Sequence, residues 1–123
     1  MKIDFISNVP IYIQIRECIK KEIGTGYLKP GDKIPSVREL ELELQVNSNT
    51  IQHAFKELER EGIVVIRKGR GRYVTNNDVE IMKLRKSMEK ELICFFINGM
   101  ESLGFTKKEM IVITLSFLKT KDK

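Results

Sequence analysis

Three residues, Gln45-Val46-Asn47, separate two short stretches that each repeat apolar side chains at helical spacing. Upstream, Val37, Leu40 and Leu44 mark one helix face; downstream, Ile51, Ala54, Phe55 and Leu58 mark another. A gap this short allows only a tight turn, and two short helices joined so form a helix-turn-helix. The ends of both stretches agree with that reading. Ser36 and Glu39 have the spacing of a capping box. Asn47 is a natural N-cap for the second helix, and Gly62 after Glu61 suits the left-handed position that ends it.

What flanks the pair narrows the fold further. Ahead of it, Ile11, Ile15, Ile19 and Ile23 recur every four residues with Cys18 beside them, predicting a first helix that opens near Pro10 and closes at Gly24 and Gly26. The segment Tyr27-Leu28-Lys29-Pro30-Gly31-Asp32 reads as a turn. Behind the pair come two β-rich runs, IVVI and YV, joined by Arg67-Lys68-Gly69-Arg70-Gly71-Arg72. Helix, helix-turn-helix and a two-stranded ribbon, in that order, make a winged helix.

The ribbon also points to a partner. The chain has 22 basic and 17 acidic residues, and residues 67–72 hold four of the cations with no acid among them. Like charges gathered at one tip oppose folding unless an anion shares them, so Arg67, Lys68, Arg70 and Arg72 are expected to meet a polyanion at a defined place. In a winged helix the second helix of the pair lies in the major groove of duplex DNA, while the ribbon reaches phosphates or the minor groove. With the apolar face of that helix turned inward, Ser48, Asn49, Gln52, His53 and Lys56 are left nearer the outside. Asn49 and Gln52 suit adenine edges, and Lys56 suits phosphate. Thr50 falls in the first turn, where a hydroxyl and free N–H groups can hold a phosphate. Each feature alone has a plainer reading, as a cap, a turn, or a solvated edge that discourages aggregation. Their joint occurrence in this order is what favours DNA.

A second pattern begins after Thr75-Asn76-Asn77, dividing the chain into a winged helix-turn-helix at residues 1–77 and a helical region at residues 78–123. Ile81, Leu84, Met88, Leu92 and Phe95 form one helical stripe, with Phe96 widening it. Met110, Ile113 and Phe117 form the next, behind a capping box at Thr106 and Glu109. Gly99 and Gly104 are expected to bracket the turn between them. Two such helices bury little alone, so they either pack back on the first domain or meet a second copy, and these nine apolar residues are expected to serve dimerisation. Should the region take a small-molecule effector, its pocket would lie between protomers, lined by Met88, Phe95, Phe96 and Met100. A stripe of Met and Phe reads more readily as dimer core. The fold class expected is therefore α+β, mainly α.

Several classes are disfavoured. One histidine and two distant cysteines suggest neither a metal nor a redox site, and both Cys18 and Cys94 are read as buried free thiols. No nucleophile motif, phosphate-binding loop or paired carboxylates support an enzyme, and no cofactor is expected. The uncharged apolar stretches fall far short of the roughly 18 residues that span a bilayer, and the start lacks a signal-peptide layout. Cytoplasm is the expected compartment.

The residues then become recognisable. Pro10-x-Tyr12-x-Gln14-Ile15, followed by Gly26-x-Leu28-x-Pro30-Gly31-Asp32-Lys33-Ile34-Pro35-Ser36-Val37-Arg38-Glu39-Leu40, closely resembles the opening of the GntR family of bacterial transcription regulators. Val46-Asn47-x-Asn49-Thr50-Ile51-x-x-Ala54-Phe55-x-Glu57-Leu58-Glu59-x-Glu61-Gly62 and Gly69-x-Gly71-x-Tyr73-Val74 continue the likeness over roughly residues 9–75. The short helical remainder resembles the YtrA-type subgroup. The resemblance implies a homodimer on a palindromic double-stranded operator, usually a repressor, and more weakly control of transporter or envelope-stress genes. It also implies contacts: Ser36 and Arg38 as a phosphate- and base-contacting pair, Asn49 and Thr50 at the start of the recognition helix, and Gly69 as the wing glycine entering the minor groove. Three residues depart from the pattern: Glu41 where a small alanine is common, His53 where many members carry arginine, and Arg72 where threonine is frequent. The competing reading keeps the fold but makes it a protein-interaction module without specific DNA binding.

Overall fold

A computed structural model describes residues 1–121. Five helices and a two-stranded sheet follow one another as α1 (Ile11–Gly24), α2 (Val37–Leu44), α3 (Ser48–Arg60), β1 (Val64–Arg67), β2 (Gly71–Val74), α4 (Asp78–Ser102) and α5 (Lys107–Lys121). The mainly helical winged helix-turn-helix expected from the sequence is present. The chain forms two compact units, Met1–Arg85 and Lys86–Lys123. The first turns of α4 therefore go with the winged helix.

In the first unit the helical faces converge as their spacing requires. Ile15, Ile19 and Ile23 of α1, Leu40 of α2, and Ile51, Ala54, Phe55 and Leu58 of α3 are all buried. Leu28, Ile34, Ile63, Val64 and Val74 extend this core, and Leu84 of α4 joins it. Ile11, at the head of the expected stripe in the first turn of α1, is exposed. The caps form as the sequence indicates. The Ser36 hydroxyl accepts from the Glu39 N–H at 3.1 Å while the Glu39 carboxylate accepts from the Ser36 N–H. Asn47 Oδ1 accepts from the Asn49 N–H at 2.8 Å.

The end of α3 fixes where the ribbon starts. Gly62 has φ +78°, its N–H donates to Glu59 O at 3.0 Å, and the Ile63 N–H donates to Leu58 O at 3.1 Å. These two bonds form a Schellman motif, which turns the chain directly into β1.

β1 and β2 pair antiparallel, Val64 opposite Val74, Val65 opposite Tyr73, Ile66 opposite Arg72 and Arg67 opposite Gly71. Opposed residues share a face. Val64, Ile66, Arg72 and Val74 therefore lie on one side, and Val65, Arg67, Gly71 and Tyr73 on the other. A third short segment widens the ribbon. Lys33 bridges Tyr73, the Ile34 N–H donates to Arg72 O at 2.9 Å, and the Val74 N–H donates to Asp32 O at 2.8 Å.

In the second unit, α4 runs unbroken through Gly99 to Ser102. Gly99 does not bracket a turn as expected. The reversal is made by Gly104 alone, at φ +86°, whose N–H donates to Glu101 O while the Phe105 N–H donates to Met100 O. A glycine inside a helix costs only about 1 kcal/mol relative to alanine, too little to end one. The Thr106–Glu109 capping box then starts α5, with the Glu109 N–H donating to Thr106 Oγ1 at 3.2 Å and the Thr106 N–H to Glu109 Oε1 at 2.9 Å. Apolar side chains here stay largely open: Phe95 is 82% exposed, Phe117 74% and Leu92 71%. Cys94 is exposed as well, contrary to the buried thiol expected, and so are its apolar neighbours Leu92, Ile93 and Phe95. Cys18 is half-buried, and burial pushes its thiol pKa up.

Candidate nucleic-acid interface

Eight cations of the first unit fall into two sets. Arg16, Lys20 and Arg72 have carboxylate partners inside the unit. Arg16 binds Glu57 and, at 2.9 Å, Glu17; Lys20 binds Glu61 at 2.9 Å. Arg72 Nε lies 3.4 Å from Glu59 Oε1, and its guanidinium sits 4.8 Å from the centre of the Phe55 ring. Arg38, Lys56, Arg67, Lys68 and Arg70 are exposed, and among the described residues they form no salt bridge. The first set ties α1 and the ribbon to α3. The second is available to an external anion.

The paired set shows in the ionisation of its members. Burial works to lower the Arg16 pKa, but its bonds to Glu57 and Glu17 outweigh that and hold it above the ordinary value. The same Arg16 bond holds the Glu57 carboxyl below its usual range.

Arg72 lies apart from the tip to which the sequence joined it. Alternation along β2 puts it on the face of the buried Val74, turned toward α3. Lys68, Gly69 and Arg70 form the exposed tip, with Gly69 at φ +76°. Arg67 stays on the outward face, its guanidinium 4.5 Å from the Tyr73 ring centre.

On α3, Asn49, Gln52, His53 and Lys56 follow at steps of three, one and three, and all are exposed. They form one surface opposite the buried Ile51, Phe55 and Leu58. Ser48 and Thr50 are half-buried beside the cap. Ser36 uses its oxygen as a cap acceptor, which leaves its O–H free to donate. Arg38 projects from the second position of α2. The structure thus brings the start of α2, the outward side of α3 and the ribbon tip into one unit.

His53 has a neighbour that the sequence gave no reason to expect. Its ring stacks on Tyr12 of α1 at 3.7 Å between centres and 14° between planes, and its Nε2 lies 3.6 Å from Glu57. Tyr12, Arg16, Glu57 and His53 therefore form a continuous bracket between α1 and α3. Helical spacing along each element could suggest which residues face outward, but not that these two would meet.

The residues expected at a dimer surface divide. Leu92, Phe95, Phe96 and Phe117 are exposed, whereas Ile81, Met88 and Ile113 are half-buried. Leu84 and Met110 are buried within their own chain and offer nothing to a partner. The stripe misleads at Leu84 because α4 passes from one unit to the next along one uninterrupted helical period. Between α4 and α5 lies an apolar groove of about 420 Å³, lined chiefly by Ile93, Phe96, Ile97, Met110, Ile111 and Leu115. Of the residues expected to line a pocket, it includes Phe96 only. No cluster of metal-binding side chains occurs among the described residues, and no described helix is long and apolar enough to cross a membrane.

Comparisons with known proteins agree with this geometry. Residues 11–74 match the family described as bacterial regulatory proteins, gntR family. The chain is 49% identical over 77 residues to the HTH-type transcriptional repressor YtrA of Bacillus subtilis, covering 63% of this chain and 59% of that one. A GntR family transcriptional regulator from Listeria monocytogenes superposes with a TM-score of 0.86 at 40% identity, over 91% of this chain and 98% of that one. The DNA-binding domain of AraR, solved in complex with operator ORR3, superposes with a TM-score of 0.53 at 31% identity, over 61% of this chain and 88% of that one. These relatives are transcription regulators and not enzymes.

Proposed function

We propose, from the membership of this chain in the gntR family of bacterial regulatory proteins, that it is a dimeric repressor of a palindromic operator. α3 enters the major groove, where Asn49 and Gln52 read base edges and His53 sits beside them. Ser36, Arg38, Thr50 and Lys56 fix the register on bases and phosphates at the groove's rim. Lys68, Gly69 and Arg70 reach from the ribbon tip toward the minor groove. Arg72 acts from within, holding the ribbon to α3.

The observation that carries this reading is the sorting of cations. Arg38 at the start of α2, Lys56 on the outward face of α3 and Arg67, Lys68 and Arg70 in the ribbon are exposed and unpaired where a winged helix meets DNA. The operator complex of AraR supports DNA as the anion, and the repressor named YtrA supports the sense of control. Transporter or envelope-stress genes are the proposed targets, and the cytoplasm the site of action. The exposed Leu92, Phe95 and Phe117 support pairing of two chains through the second unit.

The test is selection from a random duplex pool, with binding measured at two salt concentrations. An enriched inverted repeat, with half-sites about one helical turn apart, is expected. Salt-sensitive binding without enrichment would replace the repressor with a non-specific architectural protein. Absence of binding would favour the protein-interaction module.

A further inference from the structure

The ribbon's outward face carries more charge than its tip accounts for. Arg67 stands on that face opposite Gly71 and leans back over Tyr73. Lys33, from the loop before α2, lies beside the same two residues. Its backbone bridges Tyr73 on the free side of β2, and its Cε would be 3.3 Å from a Cβ placed on Gly71. Its stem thus runs along β2 toward the tip, across a surface kept low by a glycine. The two cations converge on one face from opposite edges, and among the described residues neither has a salt-bridge partner. The carboxylates nearest in the chain are engaged elsewhere. Asp32 accepts from the Lys29 N–H at 2.8 Å, Glu61 pairs with Lys20 at 2.9 Å, and Glu59 pairs with Arg72 on the inner face.

Two cations brought together with no intervening carboxylate repel each other, and an anion between them removes the repulsion. We infer that the outward face of the ribbon, with Lys33 and Arg67 about Gly71, is a second phosphate-binding surface, and that Lys33 is a contact to the DNA backbone. The inference rests on the proposed DNA-binding role and adds to it a residue from outside both the helix-turn-helix and the hairpin. Tyr73 serves as a positioning residue there, since its ring holds the Arg67 guanidinium over the face and its main chain pairs with that of Lys33. Gly71 is required twice. Its φ of +113° is strained for any other residue, and a side chain would crowd the lysine stem.

The experiment compares the full-length chain with Lys33→Gln and Lys33→Arg on an operator duplex and on a scrambled duplex, across a salt series. Lys33→Gln is expected to weaken binding to both duplexes several-fold and to lower the salt slope by about one unit. Lys33→Arg should restore both, and thermal unfolding should be unchanged in either variant. A loss confined to the operator would assign Lys33 to base reading and overturn the inference. So would a Lys33→Gln variant that binds like the parent while Arg70→Ala is weakened, an outcome that leaves the DNA-binding role intact. A parent chain that binds neither duplex would remove that role and this inference together.

Discussion

α3 and α5 are close in length, 13 and 15 residues, yet they place their apolar side chains in opposite ways. In α3 the four apolar residues share one face and all are buried. In α5, Ile111, Val112, Leu115, Phe117 and Leu118 point around the helix, each more than half exposed, and Met110 alone is buried. The distal part of α4 behaves like α5, with Leu92, Ile93 and Phe95 open. A helix apolar along one stripe completes its burial against a neighbour, whereas one apolar all round needs cover on more than one side. The first unit closes its own core. The second leaves most of its apolar side chains open.

The sharpest way to break that contrast is to remove one phenylalanine from each unit. Phe55→Ala, at a fully buried position, is expected to cost about 3–5 kcal/mol in urea unfolding. Phe95→Asp should leave the unfolding of the winged helix unchanged while converting a two-chain species into a one-chain species by light scattering. If Phe95→Asp instead unfolded the first unit, the division between a closed core and an open one would fail.

A smaller effect separates the two capping boxes. Ser36→Ala is expected to lower the stability of the first unit by about 1 kcal/mol. Thr106→Ala removes the corresponding hydroxyl acceptor from the start of α5 and should reduce helical circular dichroism without moving the main unfolding transition. Equal shifts in that transition would mean that the units unfold as one.

The smallest effect is set by pH. The folded-state pKa of Glu57 is depressed by its bond to Arg16, so the stability it contributes is full above the ordinary glutamate pKa of about 4.3 and lost as pH falls through the lower folded value. The gap in unfolding midpoint between the parent chain and Glu57→Gln should therefore narrow on acidification below that range. Glu109 is depressed as well, by the Thr106 N–H and hydroxyl, so Glu109→Gln should show the same sign in the helicity of α5. A gap that widens in acid would reverse the assignment.

What the sequence made legible follows from the range of each interaction. The Ser36 and Thr106 boxes, the Asn47 cap, the inward face of α3 and the reversal at Gly62 span a few residues each, and the structure has them all. Arg72 was within reach of the same reasoning. Two residues before the buried Val74 on a strand, it had to face inward, but its charge drew it to the tip. Other features depend on segments far apart in the chain and leave no local mark. The His53 and Tyr12 stack, the Lys33 bridge and the bond from Arg85 Nη1 to Gly24 O, at 2.6 Å, are of this kind. The environment of Leu84 is another, since periodicity reports which side of α4 it occupies and not what stands there.

The reversal at Gly62 has a consequence for how such proteins diversify. Only Glu61, Gly62 and Ile63 lie between α3 and β1, and the Ile63 main chain is held at both ends, its N–H by Leu58 O and its O by the Thr75 N–H at 2.9 Å. No residue can be inserted or removed there without breaking one of those bonds. Helix and ribbon are thus held at a fixed spacing by main-chain bonds, whatever side chains they carry. A chimaera with a junction between Leu58 and Thr75 is therefore expected to be less stable than one that exchanges residues 47–75 as a single cassette.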